Sequence, residues 1–230
     1  MIKARCKILL LVIPVFFACL SSSAQVGDMR NNIALGFNGG INMNNISVLP
    51  RIKQSQMTGM NGGFSIRYIS EKYMALICGI RAEVNYTERG WAESIEDESG
   101  ETYSRTMNYV EMPILTHWAI GKDNGMQVFL NLGPQVAYLL SEKENMSESW
   151  HPNQRPIREQ YGKQADNKFD YGIAAGAGLE IKTKAGNFLI EGRYYYGLSD
   201  FYNVSKRDYF GRAAHTTILG KITYLFDITK

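Results

Sequence analysis

Apolar and polar residues alternate with a period of two along eight separate stretches of this chain. That period belongs to strands whose two faces meet unlike surroundings. The clearest stretch runs from Tyr171 to Ile181. Tyr171, Ile173, Ala175, Ala177, Leu179 and Ile181 take one face, and Gly172, Ala174, Gly176, Gly178 and Glu180 the other. In 187–198, Phe188, Ile190, Tyr194, Tyr196 and Leu198 oppose Glu191, Arg193 and Tyr195. Ile80, Ala82, Val84 and Tyr86 oppose Arg81, Glu83 and Asn85, and Ile218, Ile222, Tyr224 and Phe226 oppose Thr217, Lys221 and Thr223. The full set covers 33–43, 59–70, 74–89, 103–118, 126–139, 169–181, 187–198 and 215–226. Eight is even, as closure of an antiparallel barrel requires when both termini lie on one side. These lengths suffice to cross a bilayer at a tilt.

The connections sharpen the reading. Glu71-Lys72-Tyr73, Gly121 to Gly125 and Lys182 to Gly186 are short, whereas 44–58, 90–102, 140–168 and 199–214 are long and polar. Short and long alternate throughout, as periplasmic turns alternate with extracellular loops in an outer-membrane barrel. A soluble β-sandwich has no reason to sort its loops this way. The sequence therefore predicts an all-β fold, a transmembrane eight-stranded antiparallel up-and-down β-barrel. With the N-terminus periplasmic, Tyr68, Trp118, Phe188, Tyr224 and Phe226 fall near the inner interface, and Tyr86, Tyr138, Tyr171 and Tyr196 near the outer one. Aromatic rings favour those two levels because the ring is apolar while its tip can reach water.

Residues 1–24 read as a cleaved secretory signal, with residues 25–230 forming the barrel domain. Lys3, Arg5 and Lys7 precede an apolar run from Ile8 to Leu20, and Ser22 and Ala24 are placed for cleavage before Gln25. Cys19 after Phe16-Phe17-Ala18 loosely resembles a lipoprotein site, but Phe16 stands where leucine is usual. The leader carries three of the 25 basic groups and none of the 22 acidic ones, so the remaining 206 residues hold 22 of each sign. A neutral chain offers no electrostatic footprint for nucleic acid. Cys6 and Cys19 leave with the leader, and Cys78 alone cannot form an intramolecular disulfide.

Several motifs then carry a resemblance. They are the Ala24-Gln25 leader end, the strand Tyr109-Val110-Glu111-Met112-Pro113-Ile114-Leu115, and Asn131-Leu132-Gly133-Pro134. To these add the glycine-rich run from Asp170 to Glu180, and Glu191-Gly192-Arg193-Tyr194-Tyr195-Tyr196-Gly197-Leu198. Over essentially the whole mature chain the sequence resembles the outer-membrane β-barrel domain of Bacteroidetes proteins often called PorT-like or porin-family proteins. The resemblance implies an outer-membrane barrel in a family without one established activity, some of whose PorT-like members serve protein secretion. One departure stands out. Many outer-membrane barrels end on an aromatic, whereas Asp227-Ile228-Thr229-Lys230 follows Phe226 here.

No metal, cofactor or catalytic motif emerges. His117, His151 and His215 show no ligand-like spacing. A lipid-modifying hydrolase could be assembled on paper from His215, Ser199 or Ser205, and Asp200 or Asp208 around the last loop. Gly36, Gly39 and Gly40 lie inside a strand with no helix after them, so they form no phosphate loop. Loop 140–168 reads either as a solvated loop or, with Trp150, as a contact surface.

Strand parity makes four further statements. Cys78 faces lipid, alongside Ile80 and Val84. Pro113 faces the lumen and Pro134 the lipid at similar heights, so a weak seam with a nearby β-bulge is expected. Gly178 should lie across from Glu191, and Gly176 from Arg193. Finally Arg67, Arg81, Glu83, Glu111, Glu180, Glu191, Arg193 and Lys221 should point inward, four of each sign, plugging the lumen with paired charges. The expected role is structural or interactive, through extracellular loops or the periplasmic rim, for a monomer in outer-membrane lipid whose partners could include other envelope or secretion proteins. Small-solute transport and lipid modification are the rival readings.

Overall fold

The structure is a computed structural model and describes residues 27–95, 99–155, 157–205 and 208–229. The predicted signal segment, 1–24, lies outside the described residues. Nine strands follow in order: β1 (Asp28–Leu49), β2 (Gln54–Ser55), β3 (Met57–Tyr73), β4 (Leu76–Glu93), β5 (Tyr103–Gly121), β6 (Met126–Met146), β7 (Phe169–Thr183), β8 (Gly186–Gly197) and β9 (Arg212–Asp227). Eight of them form a closed antiparallel ring, with β1 paired to β9 and β4 to β5. The two-residue β2 adds to the tip of β4 at Ala92 and Glu93.

The faces sort as the alternation demands. Phe37, Ile41, Phe64, Ile80, Val84, Ile114, Leu130, Ile173, Ile190 and Ile222 are exposed on the outside. A soluble surface does not carry so continuous an apolar belt, and lipid is the medium that accepts it. Cys78 shares this outer face, partly exposed and without a disulfide. All nine aromatics assigned to the two interfaces face outward as well.

Several strands, β1 and β6 above all, outrun their predicted ends, and polarity inverts toward the extracellular side. In the extracellular part of β1, Ile46 and Val48 point in while Asn45 and Ser47 point out. In β5, Tyr103 and Met107 point in while Ser104, Thr106 and Asn108 point out. Once a strand leaves the bilayer, water replaces lipid outside and the apolar face turns inward. A bulge accompanies the change. The β5–β6 register shifts between Asn108 and Tyr109, leaving Leu140 and Ser141 both exposed, and Glu142 and Glu144 then face inward.

Three expectations need correction. The turn placed at Glu71-Lys72-Tyr73 lies at Met74 and Ala75, with Tyr73 paired to Leu76 and Met74 in the left-handed region at φ 55°. A two-residue hairpin demands such a conformation, and methionine is not a residue that announces it. The prolines do interrupt the ladder, but they create no bulge of their own. Pairing of β5 with β6 stops at Pro113–Gln135 and resumes in unchanged register at Thr116–Leu132. Pairing with β4 is likewise missing between Ala82–Ile114 and Asn85–Glu111, because Pro113 has no N–H to give. The long loops are also less solvated than their composition suggested, as the cap described below shows.

The residues after Phe226 close the ring. The Asn32 side chain donates to Thr229 O (2.5 Å), Ile33 N donates to Thr229 Oγ1 (2.8 Å), and that hydroxyl donates to Asn31 O (2.9 Å). The apparent displacement of the terminal aromatic thus leaves room for a clasp between the last residues and β1.

Candidate functional site

The lumen is stacked in layers. Nearest the periplasm, Ala34, Ile69, Ile77, Ala119, Phe129, Leu189 and Leu225 form a buried apolar cluster. Above it, Arg67 donates to Glu180 at 2.6 Å, with His117 Nε2 3.8 Å from the same carboxylate and its Nδ1 2.8 Å from Asn131 Oδ1.

The middle layer holds five charges. Arg193 donates from both Nη atoms to the two oxygens of Glu83, 2.9 Å each, and from Nε to Glu191 at 2.9 Å. Lys221 reaches Glu83 at 2.6 Å. Arg81 donates to Glu191 (3.1 Å) and to Thr223 Oγ1 (2.7 Å), and its Nε lies 2.9 Å from Glu83 without hydrogen-bond alignment. Room for these groups comes from the register. Gly178 lies opposite Glu191 and Gly176 opposite Arg193. A Cβ at Gly176 would strike the Glu191 carboxylate, and one at Gly178 would meet the Phe129 ring at 2.6 Å.

A third layer contains two charges that parity should have supplied but the sequence reading omitted. Arg89 donates to Glu111 (2.6 Å) and to Asp170 (2.7 Å), and its guanidinium lies over the Tyr195 ring at 4.5 Å. Asn61 and Gln135 also donate to Glu111, and Tyr195 and Ser199 to Asp170. Arg89 shares the inward parity of Arg81 and Glu83, and Asp170 that of Gly172. All eight sequence-predicted residues point into the lumen, but Glu111 is paired with Arg89 rather than with any of the other seven. Adding Arg89 and Asp170 gives five buried bases and five buried acids among the described residues of these layers. The cavity between Arg89, Glu111, Arg193 and Tyr195 has a volume of about 10 Å³, room for roughly one water.

An apolar cap closes the extracellular end. Ile46, Val48, Trp91, Tyr103, Met107 and Tyr109 from the strands pack with Phe201, Tyr202 and Phe210 from the loop before β9. The loop after β6 folds down onto them. Trp150 stacks on Tyr103 (5.4 Å), and Tyr161 meets Tyr103 edge-on (4.8 Å). Gln160 and Tyr161 donate to Glu93, whose carboxyl burial pushes above its ordinary range. Arg105 lies between Glu142 and Glu144, over the face of Trp91. At the outer edge His151 (2.8 Å) and Arg155 (2.5 Å) both bind Glu101. The His151 bond lowers the Glu101 carboxyl, and the same bond raises His151. Of the two readings of loop 140–168, the solvated one fails for Trp150, Gln160 and Tyr161.

The hydrolase constellation is not brought together. His215 is buried against Tyr109 (3.0 Å) and Phe201, Ser199 donates to Asp170, Ser205 donates to Asp208, and Asp200 accepts Ala213 N. Among the described residues no group of His, Cys, Asp and Glu is arranged to hold a metal ion.

Comparison with known proteins agrees with this architecture. No curated protein matches the chain. Among solved structures it is similar to Ail, the attachment invasion locus protein of Yersinia pestis, crystallised with the heparin analogue sucrose octasulfate. That likeness is 15% identical, covers 86% of this chain and 100% of that one, and has a TM-score of 0.37. OprG of Pseudomonas aeruginosa is 9% identical over 87% of this chain and 98% of its own, TM-score 0.47. Neisserial surface protein A is 11% identical over 84% and 99%, TM-score 0.39. The family model described as outer membrane protein beta-barrel domain matches residues 23–203. With that match and a closed ring of eight lipid-facing strands, the chain belongs to the outer membrane protein beta-barrel domain family and resides in the outer membrane.

Proposed function

We propose that this protein is a sealed outer-membrane barrel with a structural or interaction role, presenting its folded extracellular cap and its periplasmic rim rather than a conduit. One observation carries this reading. The ion-paired interior is bracketed by an apolar layer at each end, so an ion entering from either side would have to shed its water against aliphatic or aromatic side chains. Eight strands leave an interior that side chains can fill, and here they fill it. The apolar belt makes outer-membrane lipid its surroundings and supports a monomer. The Tyr109–Leu115 strand and the glycine-rich β7 support kinship with Bacteroidetes PorT-like proteins and, through them, a secretion-associated role after cleavage before Gln25. The test is reconstitution into planar bilayers, where flat current across pH and voltage is expected. Steady conductance would instead establish transport. Unaltered lipid A on deletion of the protein would disfavour catalysis, and copurification from cross-linked outer membranes identifies any envelope partner.

A further inference from the structure

The periplasmic mouth is not filled. Below the lower apolar layer lies a vestibule of about 890 Å³, open to the periplasm. That is the size of a small-ligand pocket, far beyond what a simple anion requires. Its floor is Ile69 and Ile77, both buried members of the lower seal. Its walls carry three cations, Arg30, Lys182 and Lys184, and two acids, Asp123 and Asp227.

The acids are already engaged. Asp123 is held by Arg30 (3.0 Å) and Lys72 (2.8 Å), and Asp227 accepts a hydrogen bond from Asn187 (3.0 Å). Lys182 and Lys184 are held less directly, Lys182 only through the fields of Glu180, Asp227 and Asp123. Neither ammonium has a hydrogen bond or ion pair among the described residues, and both line the same side of the mouth at the end of β7. The Asn124 amide also lines the mouth, as does Thr183, whose hydroxyl is tied into its turn by Gly186 O and Ala185 N. A ligand suited to this site has an anionic end for the two lysines, a backbone that can bond an amide, and apolar substituents for the isoleucine floor.

From this arrangement we propose that the vestibule binds the free carboxylate end of a short peptide with small apolar side chains. In the periplasm that chemistry comes from two sources, the stem peptides of the cell wall and the C-termini of envelope proteins. The proposal deepens the reading of the periplasmic rim as an interaction surface and rests on it. A titration of binding does not depend on conductance, so its failure would leave the sealed barrel standing.

The experiment is NMR titration of the isotope-labelled, detergent-folded chain. The probes are the tetrapeptide Ala-Leu-Ala-Ala with a free C-terminus, the same peptide amidated, and a free stem tripeptide. Saturable shifts at Asn124, Gly125 and residues 182–187 are expected with an acid probe, and at least a tenfold weaker response with the amide. The double variant Lys182→Gln/Lys184→Gln should weaken the acid probe tenfold or more, its native fold verified by the unchanged spectrum of the strands. Stronger binding of the stem tripeptide assigns the site to the cell wall, and stronger binding of the linear tetrapeptide to protein C-termini. Absence of saturable shifts with both acids, equal binding of acid and amide, or full binding by the double variant overturns the proposal.

Discussion

Arg193 of β8 grips Glu83 of β4 across the full width of the lumen, one Nη on each carboxylate oxygen at 2.9 Å. The same guanidinium holds Glu191, so its removal takes four charge-assisted hydrogen bonds from two buried carboxylates, leaving Lys221 on Glu83 and Arg81 on Glu191. Arg193→Ala is therefore expected to cost about 3–5 kcal/mol, the usual price of breaking a buried pair from one side. The Arg67–Glu180 pair, which has only one direct ionic hydrogen bond, gives the contrast. Replacing both with methionine should cost far less than Arg67→Ala alone, because no charge is left without its partner. Urea unfolding of the detergent-folded barrel measures both. An unchanged midpoint for Arg193→Ala would mean a wet lumen.

Glycines opposite and away from these charges should respond in opposite ways. Gly176 faces the Glu191 carboxylate, and Gly176→Ala is expected to destabilise by about 1–3 kcal/mol through overpacking. Gly192 has no atom within 4 Å of its would-be Cβ, on the lipid face. Gly192→Ala should be neutral, or stabilising by about 0.4–1 kcal/mol from the unfolded-chain effect. The same urea series reads the difference.

Cys78 should react with an apolar, membrane-permeant maleimide far faster than with a charged one in intact outer membranes. Its outward position beside Trp118 and Ile80 puts the thiol in lipid rather than in the lumen. A preference for the charged reagent would place this face of β4 in water and invert the whole register.

The extracellular cap should loosen as pH rises. His151 is raised above its ordinary 6.5, so its grip on Glu101 is complete below 6.5 and is lost as pH climbs through the raised value. Glu101 is lowered below its ordinary 4.5, so its contribution is complete above 4.5 and is lost as pH falls through the lowered value. The latch is firmest between about 4.5 and 6.5. Trp150, next to His151 in the chain, stacks on Tyr103 and reports the latch. Its emission should shift to the red as pH climbs through the raised His151 value, and His151→Gln should abolish that pH dependence.

What the residues revealed in advance follows the physics of the two-residue period. Within the bilayer the outside must be apolar, so parity placed Arg67, Glu83, Glu191 and Arg193 inside without error of face. Arg89 and Asp170 obey the same parity inside the segments drawn at 74–89 and 169–181 and were left out of the inward set, whereas in β1 and β6 the segments were drawn too short at their extracellular ends. Those ends were invisible because the pattern inverts there: Ile46 and Val48 point in, Asn45 and Ser47 point out, and the outward polar residues read as loop. The turn at Met74 had no glycine or asparagine to mark it. Phe201, Tyr202 and Phe210 cover strands from across the barrel mouth, a contact that no local spacing encodes.

The charge pairs have a consequence for how the barrel comes into being. Arg67 and Glu180 are 113 residues apart in the chain, Glu83 and Arg193 110, and Glu83 and Lys221 138. An open, partly built sheet keeps these three pairs apart and leaves Arg67 and Glu180 without each other, although Arg81 and Glu83 on β4 and Glu191 and Arg193 on β8 remain neighbours. Such an intermediate cannot linger within lipid. Pairing of β9 with β1 brings these cross-lumen partners together, and the Thr229 contacts with Asn31 and Ile33 extend that seam. Closure of the ring thus satisfies the cross-barrel charges, and the residues that hold the finished barrel together disfavour an open one.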